Sequence, residues 1–102
     1  MHLIQILLPL YDNSGDPFPQ HEYLKIRDQL TERFGGITAF IRSPAVGLWK
    51  ETGSSTVHDD IVIYEVMSEQ LDRDWWSDYR RKLAALFRQE LLIIRVIELQ
   101  LL

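Results

Sequence analysis

Four polar residues fall on strand-like stretches where apolar ones are expected: Gln5, Arg42, Glu65 and Arg95. Glu65 is the sharpest case. It interrupts Asp60 to Met67, a run that is β-branched and apolar on both alternating faces, as in a strand covered on both sides of its sheet. A carboxylate there is either a paired structural charge or a polar group in a ligand pocket. Two arginines near it would keep it ionised. That suits an anchor or an anion-binding pocket better than a general base.

Other residues with chemical potential are less well placed. His58-Asp59-Asp60 has metal-ligand types. A metal needs three or more converging ligands, and neighbours on a strand point to opposite faces. The tripeptide reads as the polar start of a strand, and no metal is expected. His2 and His21 are lone histidines and receive no role. Ser43, Ser54, Ser55 and Ser77 lack the glycine-flanked context of a nucleophile. Gly35-Gly36 follows a helical pattern instead of preceding one, which argues against a phosphate loop. Arg80-Arg81-Lys82 is interleaved with acids and reads as a solvated helix face.

An aromatic group, Phe40, Trp49, Tyr64, Trp75, Trp76 and Tyr79, serves either as core or as a pocket for a planar apolar molecule. The ligand-binding candidates are therefore Gln5, Arg42, Glu65 and Arg95, with Trp49, Trp76 and Tyr79. No cofactor is expected.

Composition bounds the rest. A chain of 102 residues is one domain, 1–102. Its net charge of −4 argues against nucleic acid or an anionic membrane as partner. There is no cysteine, so disulfides and thiolate chemistry are excluded. Met1 to Leu10 lacks a basic start and is stopped by Pro9, so it reads as a strand and not a signal peptide. A cytoplasmic location is the expectation.

The elements that must position these residues are legible from periodicity. His2 to Leu8 is a candidate central strand. Tyr11 to Pro19 is an irregular connection in which Asp16 can cap a helix, with Pro17 or Pro19 in the first turn. From about Gln20 to Phe34, Tyr23, Ile26, Leu30 and Phe34 form one helical stripe, ended by Gly35 and Gly36. Ile37 to Arg42 is a strand that continues past Ser43-Pro44 to about Lys50, and proline confines it to an edge. Thr52 to Ser55 turns the chain into the Glu65 strand. Leu71 to Glu90 is a second helix, capped by Asp72, with Trp76, Tyr79, Leu83 and Leu86 or Phe87 buried and Asp78 pairing Lys82. Leu91 to Leu99 is the last strand. The order β-α-β-β-α-β with right-handed crossovers predicts a ferredoxin-like α+β sandwich, its antiparallel sheet ordered 4-1-3-2.

Parity sorts the strands into two faces. One, with Ile4, Ile6, Leu8, Val62, Tyr64 and Val66, is apolar and belongs under the helices. The other mixes Leu3, Leu7, Phe40, Ile61, Ile63, Met67, Ile93 and Ile97 with the four polar residues. It is too apolar to face water, and both helices are already used. A second copy is the simplest cover, so a homodimer is expected. If the hairpin turns about Gly53-Ser54, Arg42 lies opposite Glu65. Gln5 lies beside Glu65, and Arg95 one strand farther, about 10 Å from Glu65. RNA-recognition domains share this plan but need stacking aromatics beside basic residues, and Asp60 to Met67 offers one tyrosine and two acids.

In Leu30 to Gly36, Arg42-Ser43-Pro44-Ala45, Gly47 to Lys50, Asp59 to Met67, Trp75-Trp76 with Tyr79-Arg80, and Phe87-Arg88-Gln89, the sequence resembles a bacterial family of about this length, of unknown function, with the dimeric α+β-barrel form of this fold. Its implication is structural. Gln5 with Trp75 or Trp76 is also similar in kind to the amide and tryptophan of cofactor-free and haem-degrading monooxygenases built on this barrel. The haem-degrading group needs a histidine on the second helix, and residues 71–90 contain none. Three readings follow: a homodimer that binds a small apolar or aromatic molecule, a cofactor-free monooxygenase or isomerase, or a structural interaction module.

Overall fold

The computed structural model describes residues 1–42 and 61–102, with only the backbone given at 41 and 42. Six elements follow in the order β1 His2–Pro9, α1 Gln20–Phe34, β2 Thr38–Arg42, β3 Ile61–Ser68, α2 Arg73–Leu86 and β4 Ile94–Glu98. The sheet runs β2-β3-β1-β4 with every pair antiparallel. This is the ferredoxin-like α+β plan that periodicity predicts. The predicted continuation of β2, the turn at Thr52 to Ser55, the His58-Asp59-Asp60 tripeptide and Trp49 lie outside the described residues.

The helices form because their apolar residues recur on one stripe. Tyr23, Ile26 and Leu30 on α1 and Trp76, Tyr79 and Leu83 on α2 are buried. They pack on Ile4, Ile6, Leu8, Val62, Tyr64 and Val66 of the two central strands. The same parity fails at the sheet edges. Ala39 of β2 and Val96 of β4 are exposed, because two helices cover the middle of four strands and not its borders.

The helix ends show where local rules hold. Asp72 caps α2, its carboxylate accepting from the Trp75 N–H at 3.1 Å. Asp16 does not cap α1. Pro19 holds the cap position without a side-chain bond, and Asp16 instead closes a turn by donating its N–H to the Asp12 carboxylate. Gly35 ends α1 at φ 83, the left-handed conformation only glycine adopts without strain. α2 stops earlier than predicted. Gln89 N–H reaches the Ala84 carbonyl and Arg88 N–H the Ala85 carbonyl, with Arg88 at φ 51. That is a Schellman closure with arginine where glycine is usual. It drops Phe87 into the core, against Phe18 at 4.9 Å and Tyr23 at 5.5 Å.

Three tyrosines tie the layers together. Tyr23 donates to the Pro9 carbonyl, Tyr64 to the Tyr23 carbonyl and Tyr79 to Gln29. Burial, with nearby Tyr64 adding to it, pushes the Tyr23 and Tyr79 hydroxyls from 10.0 up to about 12. Burial also raises Tyr64, with Arg27 opposing. The folded chain thus holds these protons more tightly than the unfolded chain. The stabilisation is complete below pH 10 and is lost as pH climbs from there toward about 12. Urea midpoints taken on either side of pH 10 should fall on the alkaline side, where tyrosinate absorbance rises as the chain unfolds. Equal midpoints would contradict the burial of these hydroxyls.

Candidate functional site

The face of the sheet away from the helices carries the polar residues. Pairing sets them in one line across all four strands. Thr38 is opposite Glu65, Glu65 opposite Gln5, and Gln5 opposite Arg95. One residue per strand thus forms a polar row. Apolar rows flank it: Met67, Leu3 and Ile97 on one side, Phe40, Ile63 and Leu7 on the other. Alternation along each strand is what keeps them all on one face.

Gln5 links the row. Its amide Nε2 donates to Glu65 Oε2 at 2.5 Å. Its Oε1 accepts from Arg95 Nε at 2.6 Å. The amide orientation follows from charge, since the reverse would set carbonyl against carboxylate and amine against guanidinium. Gln5 and Glu65 are half-buried and Arg95 is exposed. Among the described residues, one Glu65 oxygen and the two terminal guanidinium nitrogens of Arg95 have no hydrogen-bond partner. The row therefore offers an acceptor at one point and donors about two strand spacings away, ~10 Å.

The other candidates sit elsewhere. Arg42 is not opposite Glu65. Its backbone pairs with Ile61, four residues along β2, and Thr38 takes the place expected for it. Trp76 and Tyr79 are buried on the helix side, with the sheet between them and the polar row. Their surroundings are those of a packed core: Phe34 stacks on Trp76 at 5.2 Å, Tyr79 on Trp75 at 4.8 Å. Arg33 lies 4.3 Å over the Trp75 ring and reaches Asp72 at 3.6 Å. Thr38 was missed by sequence reasoning because its place in the row depends on hairpin register. Among the described residues no three His, Cys, Asp or Glu side chains converge as metal ligands would. No helix of the described residues is long and apolar enough to cross a membrane.

The row has the parts for holding and orienting a ligand. Among the described residues, no histidine, serine or cysteine stands in register beside the carboxylate. No family model matches the chain, and no curated protein matches it. Among solved structures, a phage SAM lyase in complex with S-methyl-5'-thioadenosine is similar, with a TM-score of 0.58. The match covers 95% of this chain and 80% of that one, at 15% sequence identity. At that identity the likeness is one of fold, and it confirms the α+β architecture. An enzyme has been built on this plan.

Proposed function

We propose that the chain is a homodimer that binds a small apolar or aromatic molecule between the open faces of its two sheets. The observation that carries this is the Arg95–Gln5–Glu65 row, hydrogen-bonded and set among apolar side chains left in contact with solvent. Phe40, Met67, Ile93 and Ile97 on that face are 43 to 50% exposed in a single chain. Ile63 of the same face is buried in the single chain, so the open part is the apolar area around Phe40, Met67, Ile93 and Ile97, and a soluble protein rarely leaves such side chains uncovered together. Closing it from both copies removes on the order of 1,200 Å² or more from water, enough for a stable interface.

The order of charges selects the arrangement. A two-fold axis between the sheets, parallel to the strands and above Gln5, carries Arg95 of each copy over the partner's Glu65. An axis at right angles to the strands carries arginine over arginine and glutamate over glutamate, which repel. The first arrangement gives two reciprocal ion pairs and leaves apolar rows facing each other around them. A flat apolar molecule fits between such rows, and the pairs or Thr38 meet its polar substituents.

Binding is favoured over catalysis, since no base–nucleophile pair stands in the row. The cofactor-free monooxygenase or isomerase reading still has an architecture able to support it, because a lyase shares the fold. Light scattering at micromolar concentration should show a dimer, and native mass spectrometry should show it carrying a small molecule. S-methyl-5'-thioadenosine is a suitable first compound to titrate, being an aromatic base with an apolar methylthio end. A folded monomer without ligand would refute the reading and favour a purely structural module.

Glu65→Gln separates two roles of the row. The new amide oxygen still accepts from Gln5, so the single chain should lose less than about 1 kcal/mol. The dimer and the ligand affinity should weaken, because the charge facing Arg95 is gone. A melting temperature that falls in dilute, monomeric protein would instead make the row an anchor of the fold.

A further inference from the structure

On the opposite side of the molecule, a groove of about 400 Å³ runs between the two helices. Small-molecule sites span roughly 300–1,000 Å³. Lys25 and Gln29 of α1 face Trp75, Tyr79, Lys82 and Leu86 of α2 across it. The lining contains no acid, although the helices carry Glu22, Asp28, Glu32, Asp74 and Asp78. Three of those are engaged elsewhere: Glu22 meets His21, Asp28 pairs with Arg27, and Asp78 takes Arg81. Helical spacing predicts Asp78 with Lys82, and the Arg81 contact leaves Lys82 unclaimed. Neither Lys25 nor Lys82 has an ion-pair partner among the described residues. Gln29 Oε1 accepts from the Tyr79 hydroxyl at 3.1 Å, which leaves its amide hydrogens for another acceptor.

Three donors, two of them cationic, thus border an apolar wall in a chain of net charge −4. We propose that this groove binds a small aromatic anion, such as an aryl carboxylate or sulfonate. The anionic head sits between Lys25 and Lys82, within reach of the Gln29 amide. The ring lies along Leu86 and the Trp75–Tyr79 edge. Neither water nor the core can serve both parts of such a ligand, and the groove serves both. The site is independent of the sheet face and of the dimer.

The probe is 8-anilinonaphthalene-1-sulfonate, with N-phenyl-1-naphthylamine as its neutral counterpart, read by fluorescence titration. Both are titrated against the full chain, against Lys25→Glu/Lys82→Glu, and against Ile97→Lys, which charges the sheet face. The lysines are exposed, so the double variant should keep its fold, checked by circular dichroism. The expected result is a loss of about tenfold or more in sulfonate affinity on reversing the lysines, with the neutral probe unchanged. Ile97→Lys should leave intact the part of sulfonate binding that depends on Lys25 and Lys82, whatever it changes at the sheet face. A smaller loss, an equal loss for both probes, or abolition by Ile97→Lys overturns the proposal.

Discussion

Ile63→Asp is expected to remove about 3–5 kcal/mol of stability, by analogy with buried charges left without a partner. Ile63 is 3% exposed and lies in register between Leu7 of β1 and Phe40 of β2. No cation stands opposite it in either strand. A domain is stable by only about 5–15 kcal/mol, so the variant should unfold tens of degrees earlier or fail to accumulate. Ile63→Val separates charge from volume, since it should cost only about 0.5–1.5 kcal/mol. Thermal melts of the two variants decide the matter. An aspartate variant that melts like the valine one would mean that this position is open to water.

Arg95→Glu should abolish the proposed dimer, and Arg95→Glu combined with Glu65→Arg should restore it. With the axis along the strands, each ion pair occurs twice. Removing one partner of a close interfacial pair costs about 2–5 kcal/mol, so the dissociation constant should rise by at least ~30-fold. In the double variant every pair is reversed but intact. Gln5 can follow by rotating its amide through half a turn, with Oε1 and Nε2 exchanging partners. Sedimentation across a concentration series reads both outcomes. A double variant as weak as the single one would rule out this axis, and an unchanged dimer in both would move the interface elsewhere.

Strand order and the shared face of Gln5, Glu65 and Arg95 are legible because they follow from the crossover rule and from parity, whereas their alignment in one row is a matter of register. Order and face both survive errors of a residue or two in element boundaries. Arg42 pairs with Ile61 and not with Glu65, because the sequence between two strands does not by itself fix their register. The slip is four residues, an even number, which leaves the inside/outside alternation of the strand pattern unchanged. A pattern that records only inside and outside cannot detect such an error. Trp76 and Tyr79 were grouped with the polar residues on side-chain chemistry alone. Their helical spacing with Leu83 already placed them beneath the helix. The early end of α2 was hidden because Arg88 adopts the conformation for which glycine is the usual signal.

The sheet order has a consequence for how the chain is made. β1 sits between β3 and β4, so both of its neighbours are synthesised after it. Its apolar residues Leu3 to Leu8 have no native strand partner until Ile61–Ser68 has emerged, and one edge stays open until Ile94–Glu98 follows. Every contact that closes the sheet centre is distant in sequence, which slows folding and prolongs exposure of that strand. Leu3 to Leu8, interrupted by one glutamine, has the composition of a self-associating segment. Gln5 at its midpoint therefore matters before the fold exists, as a polar break in the stretch most prone to pair with another nascent chain.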